Sequence, residues 1–297
     1  MSSLWEQYRS VVEFAFANAI FGLSTWIAMW AGVFSLAGAS FGAVGGFTAA
    51  HLDLTYGSGP AVQLLAGAVG GLLAAAVLSV LLLKLESHWM AMATIALILI
   101  TRVVVLSAEG LTGGSVGTGL FRRVDLITIV VLVAVICFAL ARLRHSKFGL
   151  AAHAVREDAA VAAALGINPF TIRATAFAAS GMVAGVGGVV LANLLQYIGP
   201  DTFYITLAFT MAAAMVLGGT YHWAGPLVGA IVFVGLPEVV RSYIGDIDEL
   251  ITGALLVVIM VWLPRGLVDP QRRLPRRRRR GSQHTPVIEP TLQEAAR

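Results

Sequence analysis

The uncharged runs of this chain constrain its fold more than any other feature. Phe14–Leu52 contains 39 residues without an Asp, Glu, Lys or Arg, and Leu126–Ala141 and Ala174–Pro200 also lack them. A soluble domain has about a quarter of its residues charged, whereas here the fraction is 12%. A bilayer lifts that demand and imposes another: each backbone N–H and C=O must be bonded inside the protein, which leaves helices or a closed barrel as spanning structures. Runs of about 20 apolar residues suit helices. The chain therefore reads as an all-α polytopic membrane protein, in agreement with its mean hydropathy of +0.84.

Single crossings are expected at Ala61–Leu83, Trp89–Ala108, Val124–Ala141, Thr175–Leu195 and roughly Leu250–Pro264. Thr202–Pro237 is too long for one, and the turn residues of His222-Trp-Ala-Gly-Pro226 divide it. Phe14–Leu52 holds a full crossing and then Ser35–Phe47, SLAGASFGAVGGF. Its glycine density predicts a broken or re-entrant helix kept inside the bundle, because irregular backbone is not tolerated against lipid. The bundle then has 8 crossings with the N-terminus inside, or 9 with it outside, and both remain open. Ser180, Ala184, Gly188 and Ala192 form a small-residue stripe, and Gly181 and Gly185 a GxxxG pair, so their helix is expected to pack closely. Residues 1–268 make the membrane domain. The polar remainder, 269–297, is expected to be disordered.

Eight arginines lie between Arg265 and Arg280. Directly after an apolar span they act as a topological anchor and place the tail in the cytoplasm, with membrane lipid rather than nucleic acid as the neighbour. Counting back puts Tyr197–Phe203 and Gly245–Glu249 outside and Arg142–Pro169 inside, as the cluster Arg142, Arg144, Lys147 independently requires. Arg122 and Arg123 fall outside, against the rule. Arg142–Pro169 is also far longer than a tight connection needs. Leu150, Ala154, Val161 and Leu165 recur at helical spacing, and Gly166 with Asn168-Pro169 reads as a stop. The segment is expected to form a short helix outside the membrane, available to a partner or simply a solvated amphipathic linker.

Chemistry of other kinds has little support. No phosphate-binding GxxxxGK[ST], HExxH, CxxC or GxSxG occurs, and Cys137 is the lone cysteine, inside an apolar span. No cofactor, catalytic group or metal site is expected. Arg102 is the main charge within a crossing, near its outer end and one heptad from Glu109, so the two could share a face; a structural pair, a snorkelling arginine and a substrate contact are the alternatives. With no ladder of carboxylates and no arginine array, a proton-driven carrier or a voltage-gated channel is disfavoured. A pore energised by another subunit, or a stand-alone channel or facilitator for a small neutral solute, remains.

Six short motifs, in order over residues 35–268, resemble those of the permease subunits of bacterial ABC importers for branched-chain amino acids, of the second-permease type. They are Ser35–Phe47; Leu111-Thr-Gly-Gly-Ser115 with Gly117; Ser146-Lys-Phe-Gly149, Ala154-Val-Arg-Glu-Asp158 and Ala164-Leu-Gly-Ile-Asn168; Tyr197-Ile-Gly-Pro-Asp-Thr-Phe203; Val216-Leu-Gly-Gly219 with Gly225-Pro226 and Leu236-Pro-Glu238; and Pro264-Arg-Gly-Leu267. Gly38 stands where that family usually has histidine, Leu99 where it often has glutamate, and Ala159 and Ala163 replace glutamates.

The resemblance implies a multi-pass protein of the bacterial plasma membrane, without its own ATPase site. It would work with a paralogous permease, two cytoplasmic ATP-binding subunits and an extracytoplasmic solute-binding protein, and take up branched-chain amino acids or a related small amino acid or amide. Phe148, Gly149, Arg156, Glu157, Asp158, Leu165 and Gly166 would couple to the ATPase. Ser35, Gly38, Ser40, Gly42, Thr94, Arg102, Thr112, Gly113 and Gly114 are the candidates for the translocation path.

Overall fold

The computed structural model describes residues 2–85, 87–120, 124–244, 253 and 267–268. In chain order the elements are α1 (Ser2–Trp30), α2 (Gly38–Tyr56), α3 (Pro60–Leu82), α4 (Ser87–Ser107), α5 (Glu109–Thr112), β1 (Thr118–Gly119), α6 (Leu126–Arg144), α7 (Lys147–Glu157), α8 (Ala159–Ala164), α9 (Pro169–Leu195), β2 (Tyr197–Ile198), α10 (Ile205–Gly218) and α11 (Ala224–Ile244). Among the described residues five helices are long and apolar enough to cross a membrane: Arg9–Trp30, Pro60–Leu82, Trp89–Ser107, Leu126–Arg144 and Pro169–Leu195. The expected crossing at Leu250–Pro264 (Gly253 apart), the loop Gly245–Glu249, Arg122–Arg123 and the tail 269–297 lie outside the described residues.

Helix α9 is the axis of the bundle, packed on α1, α2 and α3. Its small residues explain why. A methyl group at Gly185 would overlap the Gly67 carbonyl of α3, one at Gly181 would meet Ala75 and Gly71, and one at Gly188 would overlap the Gly42 carbonyl of α2. On α2, a methyl at Gly45 would overlap the Gly185 carbonyl. Three backbones therefore touch without side chains between them, which gains dispersion energy where lipid offers no hydrophobic drive. The expected GxxxG pair, Gly181 and Gly185, and Gly188 of the stripe lie in this seam.

The glycine-rich element differs from expectation. Gly38–Tyr56 is one uninterrupted helix, and the break lies before it, at 31–37. There Gly32 takes φ +78° and the chain turns back into the bundle, burying Val33, Ser35, Leu36 and Ala37. Leu36 N–H donates to Thr94 Oγ1 at 3.2 Å and Ala37 N–H to Ser35 Oγ at 3.1 Å, so hydroxyls replace the helical acceptors. The glycines do not break α2 because close neighbours, rather than unusual dihedrals, require them. Irregular backbone does sit inside protein, starting four residues before the expected element and overlapping it only at 35–37.

The α10–α11 turn covers 219–223, overlapping the expected His222–Pro226 only at its first two residues, because Ala224–Pro226 already belong to α11. Methyl groups at Gly218 and Gly225 would each overlap the other strand of the turn, and Gly219 adopts φ +106°. Leu267 N–H and Val268 N–H donate to Leu217 and Gly218 carbonyls at 3.0 and 2.9 Å, so the chain returns to this same turn.

Candidate functional site

At one end of the bundle, residues 142–169 fold as two helices rather than the one expected. Asp158 is extended, φ −155° and ψ 110°, and ends α7. Its Oδ1 accepts from Ala160 and Val161 N–H at 2.8 and 3.0 Å, capping α8. Ser146 caps α7 and Asn168 caps α9, with Pro169 in the first turn. Asn168-Pro169 is thus a start for α9, while the stop before it is Gly166, at φ +83°.

The candidate coupling residues divide by direction. Phe148, Gly149 and Arg156 face inward. Phe148 meets the Trp30 ring edge-on at 6.2 Å, and a methyl at Gly149 would press on the last carbonyls of α6. Arg156 Nη1 donates to the Thr220 carbonyl at 3.4 Å, and its guanidinium lies 5.6 Å from the Tyr221 ring. Trp26 Nε1 donates to the same carbonyl at 3.0 Å, and the Arg156 backbone rests on Gly32. One arginine therefore ties α7 to the end of α1 and to the α10–α11 turn. Glu157, Asp158, Leu165 and Gly166 face outward, and with Leu150 and Val161 they leave three large apolar side chains uncovered. Nearby, His222 Nδ1 accepts from Ala224 N–H at 3.1 Å. Burial, and secondarily the charge of Arg144, hold its imidazole below the usual 6.5.

Because α1 ends against α7, its first residues lie at the opposite end, where α2, α4 and α9 finish. Here Arg102 departs from expectation. Helix α4 stops at Ser107 and Glu109 opens α5, so heptad spacing does not apply; Arg102 Nε instead donates to Asp201 Oδ1 at 2.9 Å, with its guanidinium 4.9 Å from the Tyr204 ring. Thr112, Gly113 and Gly114 build a tight loop. Thr112 Oγ1 donates to Val105 and Ala108 carbonyls at 2.6 and 2.8 Å, and Thr118 Oγ1 to the Thr112 carbonyl at 2.6 Å. Gly113, Gly114 and Gly117 have φ of +74°, +57° and +75°, conformations that L side chains resist. Thr118 and Gly119 pair antiparallel with Ile198 and Tyr197, and the Tyr197 hydroxyl donates to the Val116 carbonyl. Between this loop and the end of α2 lies a cavity of about 420 Å³ whose walls include His51, Thr55, Glu109 and Gly113.

The remaining candidates lie between these ends. Ser35, Gly38, Ser40, Gly42 and Thr94 are buried within the chain itself. Phe21 and Phe203 fill the space above Gly42, whereas a methyl at Gly38 would meet only Met211 and Ser24 at ordinary contact, 3.5 Å. Ser40 Oγ, in the uncapped first turn of α2, has no hydrogen-bond partner among the described residues. Sequence reasoning missed a buried polar cluster: Asn193 Nδ2 donates to Gln63 Oε1 at 3.1 Å and Gln63 Nε2 to Asp53 Oδ1 at 3.3 Å. Its signal was present, since Gln63 and Asn193 are amides inside otherwise apolar runs.

Close-packed spanning helices, a doubly pinned helix pair at one end and a shaped loop at the other define an all-α polytopic membrane protein. The chain belongs to the family described as branched-chain amino acid transport system / permease component, which it matches over residues 9–260. It is 28% identical to the high-affinity branched-chain amino acid transport system permease protein LivM of Escherichia coli (strain K12), over 86% of this chain and 66% of that protein. The LivM protein of Salmonella typhimurium (strain LT2) is also 28% identical, over 90% of this chain and 70% of its own. The E. coli permease protein LivH is 30% identical over a shorter stretch, 48% of this chain and 45% of that one. No solved structure matches the chain at a significant level. The chain is thus a LivM-like ABC permease and a transmembrane transport protein.

Proposed function

We propose that this chain is one of two unlike permeases in an ATP-driven importer of branched-chain amino acids or a related small amino acid or amide. ATP would be hydrolysed by two cytoplasmic partner subunits, and cargo delivered by an extracytoplasmic binding protein. Similarity to both LivM and LivH proteins supports the paralogous pairing. The observation that carries the reading is the α7–α8 pair: its inner face is fastened to α1 and the α10–α11 turn through Arg156 and Phe148, while Leu150, Val161 and Leu165 stand uncovered. A partner seated on that outer face would push on α1 and the α10–α11 turn through these contacts and so move the bundle. Leu267 and Val268 return to the α10–α11 turn at this same end, and it is the charge of the arginine-rich segment after them that places the tail in the cytoplasm in this reading.

The test is substrate-stimulated ATP hydrolysis by the reconstituted complex of permeases, ATPases and binding protein. Leu165→Asp puts a charge into the docking face and is expected to lower stimulated turnover tenfold or more, in the range of an interface hot spot of about 2 kcal/mol, while the permease stays in the membrane. Full stimulation by the Leu165→Asp and Glu157→Lys complexes would contradict the reading.

A further inference from the structure

We propose that the cavity between the end of α2 and the 109–119 loop is a binding site for a hydrophobic α-amino acid entering from the extracytoplasmic side, with Glu109 as the acceptor for its ammonium group. The inference rests on the importer reading and adds the site and its polar anchor. The site is a cleft open to solvent on one side, and its volume of about 420 Å³ falls within the usual size of a small-molecule site. Its lining is divided. Leu54 and Leu111 supply apolar wall at 51% and 60% exposure, while Glu109, His51 and Thr55 supply polar groups. This matches a molecule with a zwitterionic end and an aliphatic end.

Glu109 is held for the purpose. Its carbonyl accepts from Gly113 N–H at 3.0 Å, and its side-chain stem lies over Gly114, where an added methyl would come 2.8 Å from Glu109 Cγ. No Lys, Arg or His among the described residues pairs with its carboxylate. A carboxylate at the edge of an apolar wall attracts an ammonium group through charge-assisted hydrogen bonds. His51 and Thr55, one turn apart on α2, share the facing wall and carry an imidazole and a hydroxyl that can donate to the ligand's carboxylate. The loop's own construction points the same way. Leu111 and Val116 remain 60% and 77% exposed, so three left-handed glycines, two threonine staples and a tyrosine bond fix its shape without burying its large apolar side chains. A wall fixed in advance spares a ligand the entropy of ordering it.

The experiment uses the permease heterodimer with its ATPases in lipid nanodiscs, without binding protein, and titrates L-leucine by saturation-transfer NMR. Saturable binding is expected, weakened about tenfold or more by Glu109→Gln, as loss of one charge-assisted bond implies. Leucinamide, which keeps the ammonium, is expected to compete, and N-acetyl-leucine, which lacks it, is not. Leu111→Ala, which leaves the polar groups intact, is expected to weaken leucine severalfold and glycine hardly at all. Absence of saturable binding, equal binding by the Glu109→Gln complex, or equal competition by N-acetyl-leucine would overturn the site. So would Glu109→Gln impairing only the docking of the binding protein, which would make the cavity a notch for a partner's side chain. Leucine-stimulated ATP hydrolysis by the unaltered complex with its binding protein reports separately on the importer reading. If stimulation is intact and Glu109→Gln binds leucine normally, only the cavity assignment falls.

Discussion

Two glycine-rich stretches, in α2 and in the 113–117 loop, use the same residue for opposite reasons. In α2 the dihedrals are helical and any residue could adopt them; Gly45 is required because the Gly185 carbonyl occupies the place of its side chain, and Gly46 because the Phe203 ring does. In the loop, Gly113, Gly114 and Gly117 are required first by their positive φ, and the loop they shape leaves a cavity beside it. Glycine density alone therefore does not mark a translocation path. Where it removes side chains from a seam it makes a strut, and where it frees the backbone it makes a shaped wall.

Substitution by alanine should separate the two uses. Gly45→Ala carries the largest expected effect. Its clash is with backbone at the α2–α9 seam, so overpacking costs about 3 kcal/mol or more, read as loss of folded complex or a large drop in melting temperature in detergent. Gly113→Ala also meets a backbone carbonyl, that of Gly117, but in a surface loop that can shift to relieve it, so the cost should be about 1–3 kcal/mol, chiefly left-handed strain. Its damage should stay local, with the bundle assembled and the outer loop newly sensitive to protease. Gly38→Ala should have the smallest effect and the opposite sign. The methyl fits beside Ser24 and Met211, and alanine gains up to about 1 kcal/mol of helix propensity, so the complex should melt at the same temperature or slightly higher. If Gly38→Ala destabilises as much as Gly45→Ala, the distinction between seam and open position fails.

The sequence made some of this legible and hid the rest for identifiable reasons. Uncharged run length found the long crossings, and the small-residue stripe on α9 found the seam, because both are properties of one helix. The break at 31–37 was misplaced, since its backbone is satisfied by Thr94 and Ser35 hydroxyls, one of them from a distant helix. The segment around Asp158 read as one short helix, and Asp158 is in fact the cap that divides two; the alanines after it would have continued either arrangement. Arg102 was matched with a sequence neighbour, whereas its partner Asp201 is 99 positions away in the chain. Of the candidate coupling residues, composition could not say that Phe148 and Arg156 face inward while Leu165 faces outward, because direction is decided by the helices around them.

Everything proposed here depends on the α7–α8 end and the 113–117 loop facing opposite sides of the membrane. Val116 and Leu165 are matched for a direct test, being 77% and 74% exposed. In a chain with Cys137 replaced, single cysteines at these two positions are treated with a membrane-impermeant thiol reagent in intact cells and again after the cells are opened. The account predicts that position 116 reacts in intact cells and position 165 only after opening. Reaction of position 165 in intact cells, or of both positions from the same side, would contradict it.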